Sequence, residues 1–458
     1  MTSRRQAIVV GAGISGLACA LRLAEAGASV RVLEAVGKTG GLISTVEQDG
    51  FLFEAGPQSF QITPELRELI HSVGFENEIL EAPPQTPRYV LLHGKLRPAP
   101  MSPPSVLTTS LLTMSSKARI FGEAFGHSKP PTEDESFADF VRRKFGTEIL
   151  EHLAGPFVSG VFAGDPEKLS LRSTFPTMAQ WEEEYGSVLR GATKSRKSGS
   201  SKSERPTLAG FKRGMGSFLA AVAMKLGHSC ATGVTVKSIA RAADTPGWKI
   251  DCSESSQGGT LHADAVVLAT PAYEASRLMQ KLSEPLAAAL AGIPYAPVAV
   301  VSEGYRREFV GHTLNGFGFL VPRGEKMRTL GTVWNSSLFA GRAPSGMVLM
   351  TSFTGGALDP AIVEMEETEI ADLIRNELVK ILQISGPPAA HHVWRHRRAL
   401  PQYNLGHAQR VNAIRDGVEP FAGLFITGNY LEGPSIGSCV AQGFRAAKEV
   451  QEYFLSPP

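Results

Sequence analysis

Ala7-Ile8-Val9-Val10 runs straight into Gly11-Ala12-Gly13-Ile14-Ser15-Gly16, and Val30-Arg31-Val32-Leu33-Glu34 follows shortly after. The first apolar run reads as a buried parallel strand. The pattern from Leu17 to about Ala26 reads as a helix, with Gly27 closing it. Val30 to Leu33 is the second strand, ending on Glu34. The whole is a βαβ unit with G-x-G-x-x-G spacing in its turn. Gly11 permits the tight turn, Gly13 lets backbone approach a pyrophosphate, and Gly16 permits close helix–strand packing. The helix start offers unpaired N–H groups and partial positive charge to phosphates. Glu34 stands 18 residues after Gly16, where a carboxylate can accept hydrogen bonds from ribose hydroxyls. Strands, helix and acid therefore agree on a dinucleotide site rather than an empty glycine turn.

The rest of the chain limits what can surround that unit. Its 458 residues allow about three domains or one large discontinuous fold. A composition that is 43% hydrophobic and 20% charged is that of a globular chain, not a disordered or repetitive one. The net charge of +2 argues against a general nucleic-acid binder. Cys19, Cys230, Cys252 and Cys439 match no metal-ligand spacing and are too sparse for a disulfide scaffold, so a reducing compartment is expected. No apolar run is long enough for a spanning helix. The expected strand follows Met1-Thr2-Ser3-Arg4-Arg5 so closely that neither signal nor transit peptide is expected.

The fingerprint alone does not separate NAD from FAD. A second glycine pair in Lys38-Thr39-Gly40-Gly41, soon after the ribose acid, suits a larger cofactor. Nucleotide-type patterns also return late. Gly233-Val234-Thr235-Val236 reads as a short strand, Ala263 to Ala269 as an apolar strand stopped by Thr270-Pro271, and Gly423 to Asn429 as a strand running into a turn. A helix is expected from Gly437 to Ala447. A long flavin cofactor takes contacts from both ends of a chain in this way, whereas a compact NAD site usually does not.

Several longer stretches carry a family resemblance. They are Phe53-Glu54-Ala55-Gly56-Pro57-Gln58-Ser59-Phe60, Pro87-Arg88-Tyr89-Val90, Gly160-Val161-Phe162-Ala163-Gly164-Asp165-Pro166, Gly316-Phe317-Gly318-Phe319-Leu320-Val321-Pro322, Leu400-Pro401-Gln402-Tyr403-Asn404-Leu405-Gly406-His407 and Gly428-Asn429-Tyr430. In their order, across nearly the whole chain, they resemble the FAD-dependent amine-oxidase/phytoene-desaturase superfamily and, within it, the protoporphyrinogen oxidases. The resemblance implies an α/β fold: a Rossmann-like FAD-binding domain, a mixed-sheet substrate domain and a helical membrane-docking insert. The FAD-binding domain would take residues 1–82, 208–290 and 391–458, the substrate domain 83–97 and 291–390, and the insert 98–207. Val298 to Val301 and Met347 to Met350 read as strands of the substrate domain, and Glu364 to Ile384 as a helix ending before Pro387-Pro388.

The insert opens with Pro98, Pro100, Pro103 and Pro104, which are expected to prevent a regular helix, and continues with acid-free apolar stretches. An in-plane amphipathic segment is the expected form, against an ordinary core helix pair. Residues 190–213 are rich in Lys and Arg, and Thr193 to Glu204 reads as a mobile loop that either aids solubility or attracts anionic headgroups.

Such an enzyme would remove six electrons from protoporphyrinogen IX in three two-electron steps, with O2 as acceptor and H2O2 as product, at the penultimate step of heme biosynthesis. A flavin takes a hydride at N5, so the protein chiefly positions a C–H bond there. No side-chain acid, base or nucleophile is required, and no triad or carboxylate pair stands out. An apolar slot with a cation at one end suits a tetrapyrrole bearing propionates. By the resemblance, Arg88 meets a propionate, Phe317, Leu320, Val333 and Phe353 wall the macrocycle, and Gly160 orients it through its carbonyl.

For FAD, Gly11, Gly13, Ile14, Ser15, Gly16, Glu34 and Ala35 form the first motif, with Lys38, Gly40 and Gly41 the second. The resemblance adds Gly56, Pro57, Gln58 and Ser59, then Val234 on an adenine-side strand, Thr270, Trp394 near the ring, and Gly428, Asn429, Pro434, Ser435 and Ile436 beside the isoalloxazine. Gln58 stands where many relatives have Asn, and Gly433-Pro434-Ser435-Ile436 departs from their usual turn. His392 and His396 are four apart, yet no H-E-x-x-H accompanies them and Trp394-Arg395 favours a strand, so no metal is expected.

Coproporphyrinogen III oxidation is the near alternative, and another flavin amine oxidase or desaturase the more distant one. A non-catalytic tetrapyrrole carrier is the alternative of a different class. The expected setting is cytoplasmic and peripheral on a membrane, and a homodimer is compatible with it.

Overall fold

The computed structural model describes residues 5–126, 130–197, 207–242, 246–253 and 259–455. Two sheets position the site. Their strands are β1 (Gln6–Val10), β2 (Ser29–Glu34), β3 (Arg88–Leu92), β4 (Lys95–Pro98), β5 (Cys230–Thr232), β6 (Ala265–Leu268), β7 (Tyr295–Arg306), β8 (Gly318–Leu320), β9 (Thr329–Val333), β10 (Met347–Gly355), β11 (Ala390–Pro401) and β12 (Leu424–Ile426).

The first sheet is parallel, in the order β5-β2-β1-β6-β12. Its strands come from the start, middle and end of the chain. Helix α1 (Ile14–Glu25) crosses from β1 to β2, and Gly27, at φ +86°, ends the turn after it. Val9, Val32 and Val267 on one face pack against α1 and the long C-terminal helix, while Ile8, Val266 and Leu268 on the other join a second core. A strand buried on both faces carries apolar residues without alternation, which is the pattern of Ala7 to Val10.

Three expectations drawn from the sequence need correcting. Gly233 to Thr235 is not strand: β5 stops at Thr232, Gly233 turns at φ +72°, and the next strand begins at Val236. A residue in the left-handed region cannot continue an extended strand. Prolines do not keep the insert's opening from being helical. Helix α2 (Pro103–Thr108) begins on Pro103 and Pro104, because N–H groups in the first turn of a helix have no intrahelical partner and proline loses nothing there. Ser102, just before it, has its N–H held by Ser105 Oγ at 2.9 Å. Finally, Thr193 to Lys197 is not loop but the end of a helix Val188–Lys197, and the remainder of that expected loop lies outside the described residues.

The second sheet is mixed and seven-stranded, in the order β11-β7-β10-β9-β8-β3-β4. Directly paired residues share a face. Arg88 pairs with Gly318, Gly318 with Val333, Leu320 with Gly331, Gly331 with Phe353, Phe353 with Val300, and Val300 with Trp394. One face therefore carries Arg88, Leu320, Val333, Phe353 and Trp394 in a row two residues wide across the sheet, Arg88 and Val333 on one line of pairs and Leu320, Phe353 and Trp394 on the next. The opposite face carries Phe319, Val301 and Met350, which bury against Ile370, Ile374 and Leu378 of the helix Glu367–Leu382. The described residues of 103–197 are predominantly helical, with a core that includes Leu111, Phe137, Phe140 and Val158 and extends to Val90 of β3.

Candidate functional site

The βα turn is shaped by close contacts. Gly11 sits at φ +104°, and a Cβ at Gly16 would lie 2.0 Å from the Gly11 carbonyl oxygen, so helix and loop can approach only without a side chain there. At Gly13, by contrast, an added Cβ would meet nothing within 4 Å. Open space thus lies in front of the helix start, where α1 has no side-chain cap and the first N–H groups face outward. Ile14 and Ser15 begin that helix. Glu34 accepts the Ala12 N–H on Oε2 at 2.8 Å and the Val36 N–H on Oε1 at 2.9 Å, which fastens the glycine loop to the end of β2. Ala35 is exposed beside it.

The second glycine motif closes on the first. Gly40 donates its N–H to the Ala12 carbonyl at 2.8 Å, and a Cβ on Gly41 would be 3.7 Å from Gly13 Cα. Lys38 Nζ reaches Ser44 Oγ at 2.9 Å. Val234, though outside any strand, is buried and donates its N–H to the Glu34 carbonyl at 2.8 Å, so it still lies at the tip of β2. Beyond the ends of β6 and β12, Thr270 Oγ1 and Thr427 Oγ1 are buried with no hydrogen-bond partner. Orphaned hydroxyls at the carboxyl ends of parallel strands fit a bound dinucleotide, since ligands of such sheets lie there. Loop, acid, second glycine pair and orphaned hydroxyls together fit FAD.

Further along, Gly56, Pro57 and Ser59 are half-buried around Gln58, which is buried. The Gln58 amide donates to the carbonyls of Gly56 (2.8 Å) and Glu54 (3.2 Å), and its Oε1 accepts from Asn335 Nδ2 at 2.6 Å. Asn335 had no role in the sequence reading. Its link to Gln58 joins two segments far apart in the chain, and no local signal marks it. At the C-terminal end, Gly428 and Gly433 bracket a four-residue turn, Asn429–Glu432, and Pro434, Ser435 and Ile436 lead into the helix Ile436–Leu455.

On the second sheet, Arg88 lies at one end of the row described above. Its guanidinium carbon sits 5.0 Å from the centre of the Phe317 ring. Among the described residues it has no carboxylate partner. Phe317 precedes β8 and swings to the same side between Gly316 and Gly318, both at large positive φ. Leu320 follows, and the helix Gly155–Phe162 rests on it through Gly160. Trp394 ends the row, stacked on His392 with ring centres 5.2 Å apart. His392 Nε2 is bonded to Gln48 Oε1, and His396 Nε2 to the Ala55 carbonyl, each at 2.8 Å, so the two imidazoles are separately engaged.

A model of flavin-containing amine oxidoreductases matches residues 14–451. The chain belongs to the flavin-containing amine oxidoreductase family. Within it, the chloroplastic protoporphyrinogen oxidase of Nicotiana tabacum is 34% identical over 97% of this chain and 85% of its own length. The coproporphyrinogen III oxidase of Bacillus subtilis is 28% identical, covering 99% of both chains. A crystal structure from Exiguobacterium superposes with a TM-score of 0.84 at 22% identity, covering 99% of this chain and 100% of that one. The family's flavin is FAD, and the glycine loops and Glu34 fit it.

Proposed function

We propose that this enzyme is an oxygen-dependent protoporphyrinogen oxidase. The observation that carries the reading is the single sheet face that presents at one end an arginine without a carboxylate partner among the described residues, an apolar wall in the middle and Trp394 at the other end. A macrocycle with an apolar body and carboxylate arms matches that order of chemistries. The full-length similarity to protoporphyrinogen oxidases supports the same substrate class.

When bound, FAD would supply two-electron oxidation coupled to the reduction of O2 to H2O2. Three such rounds remove six hydrogens from the porphyrinogen and convert three O2 to three H2O2. The protein's own residues supply placement. Arg88 takes a propionate, fixing which edge of the tetrapyrrole leads. Phe317, Leu320, Val333 and Phe353 exclude water and hold the ring against the sheet, with Gly160 facing Leu320. Gly11, Gly13, Gly16 and Glu34 hold the dinucleotide half of the cofactor, and the Gly428–Ile436 segment frames the flavin.

The proposed division follows from those roles. Residues 1–82, 208–290 and 391–458 bind the cofactor, although β11 at the start of the last stretch is a strand of the second sheet, 83–97 and 291–390 bind the substrate, and 98–207 form an insert that docks peripherally on a membrane. Exposed Met101, Leu107, Met114 and Phe125 support that last role, and no described helix is long and apolar enough to cross a membrane. Coproporphyrinogen III is the second substrate to test, because the Bacillus relative is named for its oxidation and aligns end to end. An aerobic assay following porphyrin fluorescence from each porphyrinogen decides between them. Preferential turnover of protoporphyrinogen is expected, and turnover of neither would reject the reading.

A further inference from the structure

The Asn429–Glu432 turn is too short to hold its own shape. Leu431 N–H makes only a long contact to the Gly428 carbonyl, 3.3 Å, and Gly433 leaves the turn at φ +126°, where a side chain is disfavoured. Arg415 and Arg445 pair with Glu432 and the Gln442 amide reaches the Gly433 carbonyl at 3.4 Å, but the side chain that bridges both ends is Tyr403. That residue is buried just beyond β11, and its hydroxyl donates to the Asn429 carbonyl while accepting the Gly433 N–H at 2.8 Å. One phenol oxygen therefore spans the two ends of the turn.

The phenol is itself fixed from behind. Its ring stacks on buried His407 with centres 4.4 Å apart. The Tyr403 carbonyl accepts the Ser170 N–H at 2.8 Å. Ser170 Oγ donates to Asp134 Oδ1 at 2.7 Å, and Asp134 Oδ2 accepts the Gly406 N–H at 3.0 Å. The turn is thus referred to the helical region through Tyr403.

We propose that Tyr403 is a positioning residue for the flavin, setting where the Gly428–Ile436 segment presents its backbone to the isoalloxazine without itself touching substrate. The inference rests on the FAD reading above and adds a residue to it. A hydroxyl with two half-buried backbone partners acts as a clamp as well as packing, because its removal takes away the side-chain partner of both the Gly433 N–H and the Asn429 carbonyl.

The test is Tyr403→Phe, which keeps the ring and its stack and removes only the oxygen. Purified holoprotein is titrated with FAD after cofactor removal, and its visible flavin spectrum and reduction potential are measured beside its porphyrinogen KM. The expected result is FAD binding weaker by about tenfold, with a shifted flavin band and potential and a KM close to that of the unmodified enzyme. Unchanged affinity, spectrum and potential would overturn the proposal, as would a Tyr403→Phe protein that yields no folded holoenzyme, since the role would then be one of fold stability. His407→Phe serves as the second variant. It retains the hydroxyl and a stacking ring but takes the imidazole away from the Tyr430 and Leu431 backbone of the turn, so a spectral shift smaller than that of Tyr403→Phe is expected, and one equal to it would assign the effect to packing instead. If the unmodified protein takes up no FAD, the underlying cofactor reading fails rather than this extension of it.

Discussion

Gly160 and Leu320 are in direct contact across the helix–sheet junction: a Cβ at position 160 would lie 2.3 Å from Leu320 Cδ2. The clash is with the tip of a flexible side chain, not with backbone, so Gly160→Ala is resolved by rotating Leu320. That rotation moves its methyl groups along the proposed substrate face. Gly160→Ala is therefore expected to raise the porphyrinogen KM severalfold, with FAD content unchanged and a loss of stability within about 1–3 kcal/mol. Steady-state kinetics and thermal unfolding check both halves. A wild-type KM would remove Leu320 from the slot.

Arg88 carries the charge that sets orientation in the proposed slot. A charge-assisted bond to a carboxylate contributes roughly 1.5–3 kcal/mol, so Arg88→Ala should raise KM by about 10- to 100-fold. Arg88→Lys should recover part of that, since the charge returns without the bidentate fork. FAD affinity should not move, because Arg88 lies on β3, at the far side of the face from Trp394 on β11. Kinetics unchanged in Arg88→Ala would take the residue out of the site.

Much of the nucleotide half was legible because its signals are local. The turn glycines, the apolar strand before them and the acid after them all fall between Ala7 and Glu34, and strand burial follows directly from an apolar run. Val234 shows the limit of that reasoning. The β-branched run Val234-Thr235-Val236 after Gly233 looks like a strand, but a φ of +72° at that glycine delays the strand to Val236. The substrate face was legible only residue by residue, through resemblance. That Arg88, Leu320, Val333, Phe353 and Trp394 line up is a matter of register among six strands, five of which contribute one of those residues and β7 the Val300 between them. Pairings of such long range leave no periodic trace in the chain. The same holds for Asn335 on Gln58 and for the Tyr403 hydroxyl.

Glu34 is expected to act on the cofactor in two ways, by receiving the ribose and by holding the loop. Its two carboxylate oxygens already take the Ala12 and Val36 N–H groups. Glu34→Ala leaves both donors without that partner and should weaken FAD binding by about 10- to 100-fold. Glu34→Gln keeps one acceptor oxygen and should fall between. Fluorescence titration of the cofactor-free protein measures the series, and an Ala variant with native affinity would contradict the assignment.

Membrane contact is testable on the helices after β4. Met114 is 73% exposed and Phe125 83% exposed, one at the start of the helix Met114–Glu123 and the other just beyond its end. Apolar side chains so placed gain by entering the interfacial zone of a bilayer. Met114→Glu combined with Phe125→Glu should cut co-sedimentation with vesicles of neutral and anionic lipid, and turnover of detergent-dispersed substrate should persist. Binding that survives the double change, or its absence in the unmodified protein, would reject this surface.

Two buried groups should oppose each other as the pH falls. Burial pushes the Glu54 carboxyl up to about 7, even though it accepts from Thr45 Oγ1 at 2.6 Å and Met215 N–H at 2.8 Å. Burial, helped by Arg410, pulls the His407 imidazole down to about 4. Between the ordinary carboxylate value and pH 7, folded Glu54 keeps a proton that the unfolded chain releases. Its contribution is full below the unfolded pKa and is lost as pH rises through 7. His407 behaves in the opposite sense: the unfolded chain binds a proton below about 6.5 and the folded one does not, so its contribution is lost as pH falls toward 4. Each amounts to about 3 kcal/mol across its window, and in the overlap the two largely offset. Glu54→Gln should therefore lose melting temperature, relative to the unmodified protein, on acidification from pH 7 to 4.5. His407→Gln should gain over the same range. Melting curves whose differences from the unmodified protein do not change with pH would show that neither group titrates as its surroundings require.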